Sequence, residues 1–201
     1  MIISLSGAHG SGKSTIAQRL AEELGWPRYY MGGLRREAAK VRGLTLAEYN
    51  KLGEEDPATD REVDEYQKKL GETEDNFIIE GRTSWYFIPH SLKIYLDVSE
   101  EEGNKRVFGH LQGKNERNED KDIESVEDVK ESMRRRLASD RLRYRKYYDI
   151  DVNDVKNYDF YLDTSNLTIA EVYEKVLTLV KEKLASTNES GDAPNLDTSK
   201  I

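Results

Sequence analysis

The chain of 201 residues contains no cysteine, only three histidines and only four prolines. The absence of thiols excludes disulfides, thiolate catalysis and cysteine-ligated zinc. A surplus of positive charge is also missing, since 31 basic residues stand against 39 acidic ones. Because nucleic acids and anionic membranes select positively charged surfaces, we predict that the protein binds neither of them.

Long apolar runs and targeting patterns are missing as well. No stretch approaches the roughly 18 consecutive apolar residues of a membrane span, and no basic, hydrophobic leader precedes the first apolar segment. Hydrophobic residues nonetheless make up 36% of the sequence, which suffices for a core. We therefore expect one soluble, cytoplasmic domain over residues 1–184.

Short apolar runs alternate with helical patterns along the chain, which indicates an α/β fold with a parallel sheet flanked by helices. Five strands are predicted, over Ile2–Ser6, Arg28–Met31, Phe77–Glu80, Leu92–Asp97 and Tyr158–Asp163. Capping-box sequences, in which Ser or Thr precedes Glu by three positions, predict helix starts at Thr45, Ser99 and Thr168.

Three segments do not fit a simple alternation of strands and helices. Residues 31–75 hold two or three helical patterns and are predicted to form a helical insert above the sheet. Residues 109–122 are polar and irregular, and this composition predicts a mobile loop. The apolar period stops after residue 184, so residues 185–201 are predicted to be a disordered tail.

One motif, at residues 7–14, dominates the sequence. It has the pattern GxxxxGK[ST], follows the first predicted strand and opens a predicted helix. Such glycines let backbone N–H groups point at phosphate oxygens, while Lys13 reaches the outer phosphates and the Ser14 hydroxyl suits Mg²⁺. His9 is expected to be a spectator. The predicted ATP-binding residues are Gly7, Ala8, His9, Gly10, Ser11, Gly12, Lys13, Ser14 and Thr15.

A second polar motif, Glu80-Gly81-Arg82, ends the third predicted strand. Ligands of open α/β sheets bind at the carboxyl ends of the strands. Glu80 is therefore predicted to hold Mg²⁺ together with Ser14, and Arg82 is predicted to contact a second phosphate. Asp97 closes the next strand and is a weaker candidate for the magnesium role.

The predicted helix from Ser125 to about Tyr148 is rich in arginine. Its apolar stripe places Asp140 on the inward face, where a carboxylate costs free energy unless it is paired. Arg136 and Arg143 lie about one turn on either side, so the three side chains could form a cluster that also contacts a nucleotide. A structural ion network on a solvated helix is the alternative. The arginines predicted to face solvent are Arg134, Arg135, Arg141 and Arg145.

Together these motifs resemble the nucleoside monophosphate kinases, and within them the cytidylate kinases of the short, archaeal-like type. The resemblance covers residues 1 to about 184 and also rests on Asp56-Pro57, on the helix 60–67 and on the runs 148–151 and 163–165. It implies a monomeric P-loop kinase that transfers the γ-phosphoryl group of ATP to the 5′-phosphate of CMP or dCMP with Mg²⁺. Its partners would be small-molecule nucleotides.

The resemblance also implies roles for single residues. Arg36 looks like the arginine that grips the acceptor phosphate, with Gly32 beside it. Asp140 would contact the base or orient the arginines. Residues 106–123 would form a short lid, and Arg106 would bind ATP at its entrance. The catalytic side chains implied are Lys13, Arg82, Arg136 and Arg143, of which Arg82 and Arg136 also bind the acceptor. No general base is needed, because the acceptor is already an anionic phosphate oxygen.

Two positions depart from the family pattern. The sequence Tyr30-Met31-Gly32-Gly33 replaces a small hydroxyl residue before the first glycine and an acidic residue after it, and His110 stands where a second lid arginine is expected. The base and sugar preference, the effect of His110, the oligomeric state and the role of the tail stay open. The alternatives are a P-loop kinase for another acceptor, with Asp64 as the base for an alcohol, and a nucleotide-binding module without turnover.

Overall fold

The computed structural model describes residues 1–113 and 123–191, and within these ranges the chain forms one five-stranded sheet. The strand order is β2-β3-β1-β4-β5, and all neighbouring strands are parallel. The strands are β1 (Ile2–Gly7), β2 (Arg28–Tyr30), β3 (Phe77–Glu80), β4 (Leu92–Asp97) and β5 (Phe160–Asp163). The predicted five-stranded parallel sheet is therefore confirmed.

Helices cover the sheet, and eight α-helices lie in the described ranges. They are α1 (Lys13–Leu24), α2 (Met31–Val41), α3 (Leu46–Gly53), α4 (Ala58–Thr73), α5 (Ser84–Phe87), α6 (Glu100–Leu111), α7 (Val126–Tyr148) and α8 (Ile169–Gly191). None of them combines the length and apolarity that a membrane span requires.

The core has two layers, one on each face of the sheet. Every residue of β1 is buried, as expected for a central parallel strand covered on both sides. Successive side chains of a strand point to opposite faces, so Ile3 and Leu5 pack with the apolar residues of α1 and α8. Ile2 points the other way and packs with Leu70 of α4 and Phe77. The sheet is thus a rigid platform for the loops at its carboxyl edge.

The register of the strands brings the two polar motifs together. Leu5 of β1 pairs with Glu80 of β3, and Gly7 pairs with Leu96 of β4. The loop that follows β1 therefore begins beside the end of β3. This arrangement places the GxxxxGK[ST] motif and the Glu80-Gly81-Arg82 motif at the same edge of the sheet.

Helices α2, α3 and α4 fill the segment predicted to be a helical insert. The predicted capping box of α3 is present, since the Thr45 hydroxyl accepts from the Glu48 N–H (3.2 Å) and the Glu48 carboxylate accepts from the Thr45 N–H (2.7 Å). Before α4 the Asp56 side chain accepts from the Ala58 N–H (2.9 Å), and Pro57 is the cap residue of the helix.

The end of the chain differs from its prediction. Helix α8 continues to Gly191, although residues 185–201 are predicted to be disordered. The physical reason is that a helix anchored by buried residues propagates at one hydrogen bond per residue and needs no further apolar period. Residues 192–201 lie outside the described residues. In the predicted lid, residues 106–111 continue α6, and residues 114–122 also lie outside the described ranges.

Helix α6 approaches the loop after β1 very closely. A Cβ on Gly103 would lie 2.6 Å from the backbone oxygen of His9, and a Cβ on Gly10 would lie 2.4 Å from the backbone oxygen of Gly103. Gly10 also has a φ of 77°, in the left-handed region that favours glycine. The loop and α6 can pack this closely only because both positions lack side chains.

We expect Gly103→Ala to lower the free energy of unfolding by about 1–3 kcal/mol, because the added methyl must displace backbone atoms. The matched control is Gly109→Ala on the same helix, where a Cβ meets nothing within 4 Å. The control should be neutral or stabilising by up to about 1 kcal/mol. Urea denaturation measures both variants, and equal stability of the two would contradict the close packing.

Candidate active site

A cleft of about 1300 Å³ lies at the carboxyl edge of the sheet, between the loop after β1, the insert and helices α6 and α7. It brings together most residues predicted for the site. Those that line it are His9, Gly10, Gly12, Lys13, Ser14, Thr15, Gly32, Arg36, Glu80, Arg82, Arg106, Arg136 and Asp140. Gly7, Ala8 and Ser11 do not line the cleft, and Ser11 is buried behind it.

The loop between β1 and α1 has the curled backbone that the motif predicts. Gly10 and Gly12 both have positive φ angles, and Gly12 is the cap residue of α1. Gly12 has no side chain to cap the helix, so the positive end of α1 is presented to the cleft. Lys13 folds back over the loop and donates to the Ala8 carbonyl (2.5 Å). The loop therefore combines a helix N-terminus with the positive side chain of Lys13, which lines the cleft.

Glu80 lies against the start of α1. Its Oε1 accepts from the Ser14 hydroxyl (2.5 Å), and its Oε2 pairs with Arg28 (2.8 Å). Only 4% of Glu80 is exposed, so both oxygens have fixed directions. Asp97, the weaker candidate, does not line the cleft; its oxygens accept from the Val98 N–H (2.9 Å) and the Tyr161 hydroxyl (2.7 Å).

A buried chain of alternating charges runs below the cleft. Arg143 has no exposed surface and donates to Oδ1 of Asp60 and to Oδ1 of Asp140. Asp60 also accepts from Arg35 of α2 (2.5 Å), and Asp140 pairs with Arg82 after β3 (2.8 Å). The network thus joins α2, α4, α7 and the end of β3, and it determines where Arg82 lies.

These charges also determine the protonation state of Asp140. Burial alone would raise the pKa of the Asp140 carboxyl. The positive charges of Arg82, Arg143 and Arg136, in decreasing order, outweigh burial and hold that pKa below its ordinary value. Asp140 is therefore a carboxylate throughout the neutral range, and it stabilises the arginines around it.

Arg36 lies at the opposite side of the cleft, against Tyr30. It donates to the Tyr30 hydroxyl and to the Gly32 carbonyl (3.0 Å), and its guanidinium lies 5.8 Å from the centre of the Tyr30 ring. A Cβ on Gly32 or on Gly33 would lie 2.8 Å from this ring. The bulky Tyr30 therefore explains the paired glycines, and the tyrosine orients Arg36.

Arg106 lies where α6 meets the turn after β5. It pairs with Glu102 (2.8 Å) and donates to the Thr164 carbonyl (3.0 Å), while the Thr164 hydroxyl donates to the Asp97 carbonyl (2.8 Å). His110 follows one turn later on α6 and also lines the cleft. The two side chains form the wall of the cleft next to the loop after β1.

Comparison with known proteins identifies the family to which this chain belongs. The model of the cytidylate kinase-like family matches residues 2–166. The chain belongs to the cytidylate kinase-like family. It is 36% identical over 196 residues to the cytidylate kinase of Natronomonas pharaonis, covering 96% of both chains. It is 32% identical to that of Archaeoglobus fulgidus over 184 residues, covering 91% of this chain and 96% of the relative.

Solved structures share the fold. A shikimate kinase from Bacteroides thetaiotaomicron superposes with a TM-score of 0.59 at 14% identity, covering 92% of this chain and 98% of that one. A shikimate kinase from Acinetobacter baumannii gives 0.54 at 17% identity, covering 90% and 93%. These similarities show a P-loop kinase fold. The family resemblance inferred from the sequence is therefore confirmed, and the family membership implies use of ATP and binding of nucleotide substrates.

Within this family member, the arginine-rich helix is arranged largely as its sequence pattern predicts. Asp140 is buried and paired with Arg143, and Arg136 lines the cleft. The four arginines predicted to face solvent are exposed: Arg134, Arg135, Arg141 and Arg145. Arg143 differs, because the prediction that it contacts the transferring group requires an accessible side chain and the structure buries it completely below the cleft.

Three residues around the site are missed by sequence reasoning. Arg28 pairs with Glu80, and Arg35 and Asp60 belong to the buried network. The position of Arg28 near Glu80 could have been predicted, because both residues lie on strands predicted to be part of one parallel sheet. In the structure β2 pairs with β3, and Arg28 lies opposite Ile78. The contacts of Arg35 and Asp60 could not have been predicted in this way, because they join α2, α4 and α7 and no spacing rule links residues on separate helices.

We expect Arg143→Met to destabilise the protein by about 3–5 kcal/mol, because Asp60 and Asp140 would stay buried without their shared cation. Arg141→Met is the matched control, since Arg141 is exposed on the same helix and should change stability by less than about 0.5 kcal/mol. Urea denaturation of both variants tests this. A loss of stability no larger than that of the control would mean that the buried network contributes little.

Proposed function

We propose that the protein transfers the γ-phosphoryl group of ATP to the 5′-phosphate of CMP or dCMP. The observation that carries this proposal is that one cleft is lined at one side by the phosphate-binding loop and at the other by several arginines. A triphosphate and a monophosphate that must meet in line need a cleft with positive groups on both sides. The curated relatives named cytidylate kinase support the choice of acceptor.

On the ATP side, the backbone from Gly7 to Thr15 binds the phosphates, with the positive end of α1 below them. When ATP binds, the Lys13 ammonium group leaves the Ala8 carbonyl and contacts the β- and γ-phosphates. The movement is short, because that carbonyl lies within the same loop. Arg106, on the wall of the cleft beside the loop, binds the ATP molecule near its entrance.

Ser14 and Glu80 are the residues that would hold Mg²⁺. The pair fits, because a hydroxyl and a carboxylate in direct contact are the oxygen donors that Mg²⁺ prefers, and Arg28 keeps Glu80 in place. The metal ion would neutralise charge that develops on the phosphate oxygens. Ser14 and Glu80 contribute position, since Ser14 lies in the first turn of α1 and Glu80 ends β3.

On the acceptor side, Arg36 grips the monophosphate beside Gly32, and Arg82 and Arg136 stabilise the charge spread over the transferring group. Asp140 and Arg143 act through Arg82. Asp140 pairs with Arg82 directly, and Arg143 orients Asp140 from below the cleft. Arg143 is therefore a positioning residue. No side chain has to remove a proton, because the attacking phosphate oxygen is already anionic.

A coupled assay of ADP release tests this function, with ATP and Mg²⁺ and one of CMP, dCMP, UMP, AMP or GMP. We expect CMP and dCMP to accelerate ADP release most. Lys13→Ala should lower kcat by at least about 10²–10³-fold, as for the loss of one charge-stabilising donor. Lys68→Ala, with an exposed lysine on α4, is the control.

Two outcomes of this assay contradict the proposal. If ATP binds but no monophosphate accelerates ADP release, the protein is a nucleotide-binding module without turnover. If UMP, AMP or GMP accelerates ADP release and CMP and dCMP do not, the protein is a P-loop kinase for another nucleotide. Wild-type rates in Lys13→Ala would contradict the proposed mechanism even if CMP is phosphorylated.

Arg36→Ala tests the acceptor site separately. Loss of a charged hydrogen-bond donor to phosphate costs about 1.5–3 kcal/mol, so the KM for CMP should rise about 10- to 100-fold while the KM for ATP changes little. Arg61→Ala is the control, since Arg61 is exposed on α4 and does not line the cleft. Equal increases in the two KM values would show that Arg36 does not belong to the acceptor site.

The monomeric state, the cytoplasmic location and the lack of binding to nucleic acid or membranes stay predictions of the sequence. Sedimentation of the purified protein checks the first of them.

A further inference from the structure

Asp64 is a buried acid in the cleft that phosphoryl transfer does not use. It lies on α4, is only 9% exposed and still lines the cleft. The cleft is also lined by Met31 and by Val63, the residue before Asp64, and these two belong to one apolar cluster. Apolar surface close to an acid suits a nucleobase better than a phosphate, because the carboxylate would repel a phosphate.

The Asp64 carboxylate is oriented by donors from two sides. Oδ1 accepts from the Gln67 amide (3.2 Å), and Oδ2 accepts from the Tyr148 hydroxyl. Gln67 is itself fully buried, and its Oε1 accepts from the Ser84 hydroxyl (2.7 Å). Its amide nitrogen also lies 3.2 Å from Oγ1 of Thr83. These contacts fix the plane of the carboxylate, and each oxygen keeps a lone pair for one further donor.

The charge of Asp64 determines what it can recognise. Burial raises its pKa to about 6, while the Tyr148 hydroxyl opposes this shift, Asp60 adds to it, and Arg35 and Arg143 oppose it. At neutral pH and above the group is therefore ionised and only accepts hydrogen bonds. A base that presents a donor to Asp64 is stabilised, and one that presents a carbonyl oxygen is repelled.

We propose that Asp64 selects the base of the acceptor nucleotide by accepting a hydrogen bond from its exocyclic amino group. The site would then take a monophosphate whose base presents an amine, such as cytosine, and reject one that presents a carbonyl at the same place, such as uracil. This inference rests on the proposed function, because it requires a nucleoside monophosphate in the cleft. Thr83, directly after Arg82, connects the base side of the cleft to its phosphate side.

The test compares kcat/KM for CMP and for UMP in the wild type and in Asp64→Asn. Loss of a hydrogen bond to a charged group lowers binding about 10- to 100-fold. We therefore expect Asp64→Asn to lose about that factor for CMP, to keep or gain activity with UMP and to leave the KM for ATP unchanged. Glu65→Gln on the exposed face of the same helix removes an equal charge and should change nothing.

Thermal unfolding of the same variants shows whether Asp64→Asn folds. The folded pKa of Asp64 lies above its unfolded value of 3.8, so the stability tied to its protonation is present below about pH 4 and is lost as the pH rises through about 6. At pH 7.5 the amide should thus be at least as stable as the carboxylate. Tyr148→Phe is a second variant, which removes a donor that orients Asp64 and should lower the preference for CMP over UMP by a smaller factor.

The outcomes separate the two proposals. If the wild type phosphorylates no monophosphate, the proposed function is wrong and this inference falls with it. If the wild type phosphorylates CMP, but folded Asp64→Asn loses the same factor with CMP and UMP, only the inference is wrong. Complete loss of turnover with every acceptor in a folded Asp64→Asn would equally overturn it, because a base-reading residue must change selectivity.

Discussion

The arrangement of the cleft depends on one guanidinium that has no contact with solvent. Arg143 lies between Asp60 and Asp140, and both carboxylates also bind a second arginine. Removing a guanidinium from water costs several kcal/mol, which only close and well-directed carboxylates offset. The insert, the long helix α7 and the end of β3 therefore cannot shift independently without leaving a buried charge unpaired. Arg82 reaches the cleft from this fixed framework.

Around the cleft, several cations have a defined oxygen partner that limits their freedom. Lys13 contacts the Ala8 carbonyl, Arg36 contacts the Tyr30 hydroxyl, and Arg82 pairs with Asp140. Several positive groups can converge on one cleft in an acidic protein because oxygens within the fold balance them. Pre-oriented donors need little reorganisation when charge develops on a reacting phosphate, which is the main source of catalysis in phosphoryl transfer. Asp64 differs from Asp140, which pairs with arginines, because the donors that orient Asp64 are the uncharged side chains of Gln67 and Tyr148.

Sequence patterns predict much of this organisation correctly. The boundaries of β3 and β4 agree with the predicted strands, and the inward position of Asp140 follows from helical spacing alone. The predictions fail where the outcome depends on contacts between distant segments. The resemblance implies that Arg143 contacts the transferring group, but Asp60, which lies 83 positions away in the sequence, binds it below the cleft. Helix α8 extends to Gly191, into the predicted tail, because anchoring to the core lets a helix continue beyond its apolar pattern.

The sequence by itself determined the fold class, the phosphate-binding loop and the family, because these depend on local periodicity and on a short motif with strict backbone requirements. The tertiary structure alone decided which charged residues face the cleft and which lie below it. It paired Arg28 with Glu80, joined Arg35 to Arg143 through Asp60, and placed Asp64 against Tyr148. The physical reason is that a charged side chain takes its position and protonation state from burial and from partners on other elements, which no local pattern contains.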